Sequence, residues 1–163
     1  MIILGVDPGS HATGYGVIST GPVVRMLGGG VIRARRQAPL SDRLLAIHTE
    51  LSVVIDRFNP DAMAVEDLFN AKNAKSSLIL GHARGVILLA GATAGLPVAE
   101  YAPREVKKAL TGNWAATKEQ VRFMVMRLLC LKESPPLDQS DALAVALTHA
   151  GRSRFPGQFS GLA

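Results

Sequence analysis

Four carboxylates fall where a folded chain could bring them together. Asp7 and Glu66 each end a short apolar run of the kind that forms a buried strand. Asp138 and Asp141 are three residues apart at the start of a predicted helix, so they share one face of it. Clustered acids repel one another unless cations neutralise them, and an all-oxygen ligand set favours magnesium. Two such ions about 4 Å apart are the usual machinery for phosphodiester hydrolysis, which is therefore the predicted chemistry.

Each acid also has an ordinary structural explanation. Asp138 could cap the helix that follows it, and Asp141 could complement the helix dipole. Asp7 could form a turn with the Pro-Gly pair after it, whereas Glu66 is an unusual residue to find at the end of an apolar strand. One shared metal site explains the positions of all four acids together, whereas the structural roles require four unrelated explanations.

Basic side chains concentrate in the last third of the chain. The protein carries 18 Lys and Arg against 13 Asp and Glu, a net charge of +5. Residues 102–133 hold four of those five charges, and beside a metal site they would suit a phosphate backbone. A solvated helix surface is the alternative, and it is sufficient for Arg127 and Lys132. The basic residues predicted to bind nucleic acid here are Arg104, Lys107, Lys108, Lys118 and Arg122.

The loop after Glu66 combines an aromatic residue with polar and basic ones. Phe69 stands among asparagines and lysines, with Lys72 close behind it. An exposed aromatic in such a loop could stack on an unpaired base. The alternative is a loop phenylalanine that packs into the core.

Hydrophobic patterning predicts an α/β fold with a mixed five-stranded sheet covered by helices on both faces. Three strands with short connections form an antiparallel meander, and the glycines at 28–30 suggest a bulge in the third. The remaining strands alternate with helices and so run parallel. The predicted strands are 2–6, 13–20, 23–33, 62–66 and 97–101, and the predicted helices are 40–58, 76–95, 102–110, 117–131 and 138–150.

Length and composition limit the function classes. The chain of 163 residues, 48% of them hydrophobic, has the size and composition of one globular domain, predicted over 1–150 with a flexible tail at 151–163. A single cysteine, Cys130, excludes an internal disulfide and a cysteine-based zinc site, and we expect it to be buried. No signal peptide is evident, and His82 and Arg84 argue against a membrane span in helix 76–95. We therefore expect a cytoplasmic protein.

An ordered set of motifs resembles the RuvC family of Holliday-junction resolvases across residues 1–150. The opening Asp-x-Gly by itself is weak evidence, because actin-like ATPases and sugar kinases share it. The whole set is specific: Ile3-Leu4-Gly5-Val6-Asp7-Pro8-Gly9-Ser10, Thr13-Gly14-Tyr15-Gly16, Val65-Glu66, Ala71-Lys72-Asn73, Ala83-Arg84-Gly85, Glu100-Tyr101-Ala102-Pro103, Val106-Lys107, Lys118 and Asp138 with Asp141-Ala142-Leu143-Ala144.

The resemblance implies a ribonuclease H-like fold and a homodimeric endonuclease that cuts four-way DNA junctions symmetrically in recombination and repair. It implies 5′-phosphate and 3′-hydroxyl products and two Mg²⁺ ions per site, with Mn²⁺ as a substitute. A RuvA/RuvB branch-migration complex would be a further partner. The residues that match the family's catalytic and metal-binding acids are Asp7, Glu66, Asp138 and Asp141; its stacking aromatic matches Phe69 and its basic pair matches Lys107 and Lys118.

Two features of the resemblance leave alternatives open. Helix 76–95 is apolar nearly all round, so it either forms the dimer interface or is buried within one subunit. Its glycine pairs, 81 with 85 and 91 with 95, would allow close helix approach. Trp114 stands where the family has a small residue, and it either stacks on DNA or packs on its neighbours.

Three rival functions deserve comparison. A phosphotransferase of the actin or sugar-kinase type would need a second domain to close over ATP, for which the chain has no room. A non-catalytic junction-binding module would use the acids only as helix caps and turn formers. A YqgF-like nuclease shares the fold but fits the Phe69 loop and the spacing of Asp138 and Asp141 less well.

Overall fold

The fold is α/β, with the elements in the predicted order. A computed structural model describes residues 1–67 and 74–154. Its strands are β1 (Ile2–Asp7), β2 (Ala12–Ser19), β3 (Arg25–Arg33), β4 (Ala62–Glu66) and β5 (Val98–Tyr101). Its helices are α1 (Leu40–Phe58), α2 (Ala74–Thr93), α3 (Pro103–Thr111), α4 (Lys118–Leu128) and α5 (Leu137–Arg154).

The five strands form one mixed sheet in the order β3-β2-β1-β4-β5. Strand β2 pairs antiparallel with both β1 and β3, whereas β4 pairs parallel with both β1 and β5. The register of β2 and β3 shifts between Val17 and Ile18, opposite Gly28 and Met26, so the bulge predicted from the glycines is confirmed. The mixed sheet and the direction of every strand are as predicted.

Helices cover both faces of the sheet, and the alternation of strand residues separates two cores. Ile3, Ile18 and Ala64 pack against α3, α4 and α5. Leu4 and Val6 point the other way and pack against α1 and α2. The face that carries α5 is the one that matters for the acids, because Asp7 continues the odd-numbered positions of β1.

Glycines in β1 and β2 let α5 lie very close to the sheet. A Cβ added to Gly5 would overlap with the carbonyl oxygen of Ala142, and one added to Gly14 would overlap with that of Asp138. Gly16 faces the side chain of Leu143 in the same way. The close packing of α5 across β1 and β2 therefore depends on glycine at these positions.

Helix α2 leaves part of its apolar surface exposed, as α1 also does at Leu45 and Val53. Leu78 and Leu89 are 65% and 58% exposed, although Ala83 and Ile87 are fully buried against the sheet. Complete burial within this chain, one of the two predicted alternatives, is therefore wrong. By length and composition α2 is also the one helix among the described residues that could span a membrane, which is weak evidence because core helices of soluble proteins meet the same criteria.

Some sequence predictions are corrected by the structure. Gly91 packs on Met63 and Val98 inside the chain, and Gly95 lies beyond the helix with a positive φ of 71°, so this pair does not form a helix contact surface. Helix α5 continues to Arg154, one turn past its predicted end. Cys130 follows α4 in a left-handed conformation and is exposed rather than buried.

Candidate active site

Two of the four predicted acids meet at neighbouring strand ends. Val6 pairs with Val65 in the parallel register of β1 and β4, so Asp7 and Glu66 follow side by side at the same edge. Alternation places both on the face that carries α5. Their carboxyl groups are close enough for each to change the pKa of the other. The two acids therefore do not ionise independently.

Burial makes this pair difficult to ionise. Burial first, and then Glu66 and Asp141 as like charges, raise the pKa of Asp7 to about 9 from its ordinary 3.8. Burial also raises the pKa of Glu66, although the hydrogen bond from Asp7 acts in the opposite direction. Two partly buried carboxyl groups of this kind both lose their protons at neutral pH only when a cation binds beside them.

Helix α5 brings the other two acids to the same edge. Asp138 lies in its first turn, after Leu137, so the alternative in which Asp138 is only the N-cap does not hold. Its carbonyl oxygen sits over Gly14, which pairs with Asp7 across the sheet. Asp141 is close enough for its charge to raise the pKa of both Asp7 and Glu66. All four predicted acids therefore lie at one end of the sheet.

Two lysines supply positive charge to these acids. Lys118 begins α4 directly after the N-cap Thr117, which exchanges hydrogen bonds with Gln120 in a capping box. Its Nζ donates to Oδ2 of Asp141 over 3.0 Å, and this bond raises the pKa of Lys118. Lys107, half-buried on α3, lowers the pKa of Glu66 by its charge. Both lysines of the predicted basic pair thus lie beside the acids.

The acids do not form a closed set of ligands as they stand. Over residues 1–67 and 74–154, no three His, Cys, Asp or Glu side chains are arranged to hold one metal ion. The Lys118 ammonium is the counter-ion of Asp141, and the raised pKa of Asp7 favours the protonated, neutral form of that acid. The site therefore balances its negative charge with one lysine and one proton.

The other predicted DNA-binding residues divide into three groups. Arg104 and Lys108 are on exposed positions of α3, and Trp114, 68% exposed, follows that helix, so it does not pack on its neighbours. Arg122 is half-buried and donates to the backbone carbonyl of Pro135, which ties α4 to the segment before α5. Phe69 and Lys72 lie outside the described residues.

Several contacts around the site were not predicted. Arg84 of α2 pairs with Asp67 at 3.1 Å and also with Glu100, which joins α2 to the ends of β4 and β5. The Tyr101 hydroxyl lies 2.8 Å from Nδ1 of His149. Nothing in the spacing of Tyr101 and His149 along the sequence indicates this contact.

The comparisons with known proteins agree with this geometry. A family model described as "Crossover junction endodeoxyribonuclease RuvC" matches residues 3–149. The chain belongs to the RuvC family. A relative from Desulforamulus reducens that bears the same name is 51% identical over 152 residues, covering 92% of this chain and 93% of the relative.

Two solved structures of RuvC from Thermus thermophilus are similar over nearly the whole chain. One has a TM-score of 0.88 and 40% identity, with 96% of this chain and 97% of that chain covered. The other, a complex with a Holliday junction substrate, has a TM-score of 0.87 and 39% identity, with 94% and 96% covered. The ribonuclease H-like fold expected from the resemblance is confirmed. Membership of the RuvC family also removes the kinase-type rival.

Proposed function

We propose that this RuvC-family chain resolves four-way DNA junctions by metal-dependent hydrolysis at the edge formed by Asp7, Glu66, Asp138 and Asp141. The observation that carries the proposal is the convergence of four acids on one sheet edge, two of them partly buried side by side. Proteins rarely bury like charges together unless a bound cation neutralises their repulsion. Residues 1–150, continued by the last turn of α5 to Arg154, would form the nuclease domain, with the predicted tail after it.

The residues present fit a divalent ion. Their donors are carboxylate oxygens, which Mg²⁺ prefers, and the raised pKa of Asp7 is the response of an acid pair that needs positive charge. The four acids would hold two Mg²⁺ ions, for which Mn²⁺ could substitute. When bound, Mg²⁺ lowers the pKa of a coordinated water and stabilises charge on a phosphate.

The chain's own cations would bind the scissile strand. Lys107 and Lys118 lie beside the acids, where phosphate oxygens could replace Asp141 as the partner of Lys118. The two lysines would hold the phosphate against the acids and leave its bond to the 3′ oxygen in line for hydrolysis. The products would be a 5′-phosphate and a 3′-hydroxyl.

Further DNA contacts belong to the same proposal. Lys108 and Arg104 on α3 extend the basic surface, and the exposed Trp114 stands next to them. Lys108 and Trp114 border a shallow pocket of about 250 Å³. Arg122 stays a predicted contact, although its guanidinium already holds Pro135. Phe69 and Lys72 also stay predictions, with Phe69 stacking on an unpaired base.

A symmetric pair of cuts requires two active sites, which a homodimer would provide. We place its interface on α2, where Leu78, Gly81 and Leu89 line an apolar groove of about 730 Å³ together with Leu44 of α1. Shape recognition by two such sites would give junction selectivity, because phosphate contacts carry no sequence information. We also propose that the chain works with a RuvA/RuvB branch-migration complex and that it is located in the cytoplasm.

The decisive experiment compares Asp7→Asn with a matched control. Both variants are incubated with a synthetic four-way junction and with linear duplex, with and without Mg²⁺. Asp61 is the control, because it accepts a hydrogen bond from the backbone of Ile2 at the opposite edge of the sheet. Asp7→Asn should lose cutting by at least about 100-fold while still binding the junction, since a metal ligand is gone.

Each outcome of that experiment has a definite meaning. Paired cuts on the junction alone, dependent on Mg²⁺ and retained by Asp61→Asn, would support a resolvase. Normal cutting by Asp7→Asn would contradict the assigned site. Binding by the unmodified chain with no cutting in Mg²⁺ or Mn²⁺ would instead favour the non-catalytic junction-binding module.

A further inference from the structure

A second group of basic residues lies at the same edge of the sheet as the acids. Asp7 pairs with Gly14, and two residues further towards that edge Ala12 pairs with Arg33. The segment from the end of β3 to the first turn of α1 then adds three more arginines, and His11 stands in the loop between β1 and β2. We define this arginine patch as His11, Arg33, Arg35, Arg36 and Arg43.

Arg43 shows the imbalance of charge in this patch most clearly. It is only 7% exposed, its Nη1 lies 3.0 and 3.1 Å from the two ring nitrogens of His11, and its buried Nε has no hydrogen-bond partner. No carboxylate pairs with it in the described part of the chain. A buried guanidinium without an acid is costly, and proteins keep such groups where an anion binds.

The exposed members of the patch lack acidic partners too. None of Arg33, Arg35 and Arg36 forms an ion pair within residues 1–67 and 74–154, in contrast to Arg84, Lys118 and Arg152. The nearest acid in sequence, Asp42, accepts a hydrogen bond from Ser41. Burial and the charges of Arg43 and Arg36 lower the pKa of His11, so its ring is free to accept a hydrogen bond from Arg43.

Arg43 and the two active-site lysines lie on opposite faces of the sheet, whereas Arg33, which alternates with the buried Ile32, is on the face of the lysines. Lys107 and Lys118 are on α3 and α4, which pack with α5 on one face, whereas Arg43 is on α1, which covers the other. A chain of phosphates laid across the catalytic edge would therefore meet basic side chains before and after the acids. Guanidinium groups suit phosphates because they donate two parallel hydrogen bonds.

We propose that the arginine patch is a second phosphate-binding site, which holds the DNA backbone on the α1 side of the catalytic edge while Lys107 and Lys118 hold it on the other. The inference rests on the proposed junction-cleaving function and adds a surface to it. It assigns the buried Arg43, in contact with the exposed ring of His11, the role of a fixed charge in the site, and the exposed arginines the role of contacts along the strand.

The test measures junction binding as a function of salt. All variants carry Asp7→Asn so that binding is separated from cutting. Arg35→Gln with Arg36→Gln removes two exposed charges, and the control is Arg25→Gln, an exposed arginine at the opposite end of β3. The double variant should bind roughly 10-fold more weakly, and the slope of log K against log salt should shrink by about 1.8, because about 0.9 is lost per phosphate contact.

Arg43→Met provides an independent readout. If Arg43 is held buried for a ligand, its replacement should raise the melting temperature of the free protein and weaken junction binding. A purely structural arginine would give a lower melting temperature instead, which would overturn its assignment to the site. The patch alone would be overturned if Arg35→Gln/Arg36→Gln and Arg25→Gln had equal affinity for the junction and equal salt slopes. The proposed function and the patch would be overturned together if the Asp7→Asn parent did not bind the junction.

Discussion

The raised pKa of Asp7 makes the stability of the fold depend on pH. In the folded chain Asp7 keeps its proton up to about pH 9, whereas in the unfolded chain it loses it near 3.8. The native state therefore binds more protons between these values, and stability must fall as pH rises through that window. Glu66, whose pKa is also raised, contributes in the same direction.

Asp7→Asn should therefore flatten this pH dependence. The amide is neutral at every pH, so the variant should match the unmodified chain near pH 4 and melt at a higher temperature at pH 8, with both in EDTA. Mg²⁺ should stabilise the unmodified chain more at pH 8 than at pH 5, since it replaces the proton. Thermal melts at several pH values measure both effects, and identical slopes for the two proteins would show that Asp7 is ionised in the folded chain.

Trp114 is the only tryptophan in the chain. Its fluorescence therefore reports directly on whether this residue contacts DNA. The loop that carries it is well fixed, because Gly112 adopts φ 73° after α3 and Asn113 accepts a hydrogen bond from the Ala115 backbone at 2.9 Å. An exposed aromatic beside Lys108 can stack on an unpaired base.

Binding of a junction by the Asp7→Asn chain should therefore quench tryptophan fluorescence. Trp114→Ala should weaken binding roughly fivefold or more, the cost of one stacked base. Phe123→Ala is the matched control, since Phe123 is 61% exposed on α4. Unchanged fluorescence at saturating junction would place Trp114 outside the DNA-binding surface.

At the scale of elements, the position of α5 decides whether the acids meet. Gly14→Ala should separate them, because the new Cβ overlaps with the carbonyl oxygen of Asp138 and the first turn of α5 must move outwards. We expect cutting to fall at least about 10-fold, since small displacements of catalytic groups are costly, together with a lower melting temperature. Gly151→Ala in the same helix meets nothing within 4 Å and should be neutral or stabilising. Full cutting by Gly14→Ala would show that the helix position does not matter.

The sequence predicts the elements better than the contacts between them. Strands that end on Asp7 and Glu66 are visible in hydrophobic patterning, and parallel pairing then brings the two acids together without further information. The pairing of Lys118 with Asp141 is not visible, because it depends on the angle at which α4 meets α5. Gly14 shows the same limit, since a glycine in a strand does not reveal which helix will approach it.

At the scale of the whole molecule, the outer apolar surface of α2 is left uncovered by the single chain. Its inner side packs on the sheet while Leu78 and Leu89 remain largely in water, and the groove between them and Leu44 is almost entirely apolar. A second copy of the chain would cover this surface and place two catalytic edges in one particle. The proposed dimer thus connects the stability of α2 with the symmetry of the cuts.

Leu78→Glu should break that dimer without unfolding the chain. Leu78 is 65% exposed in the single chain, so a charge there costs little until a partner covers it. Light scattering should show a monomer, and the junction should receive single, uncoupled nicks in place of paired cuts. Val23→Glu, at a residue 59% exposed and outside α2, is the control and should leave both properties unchanged. A Leu78→Glu protein that remains dimeric would place the interface on another surface.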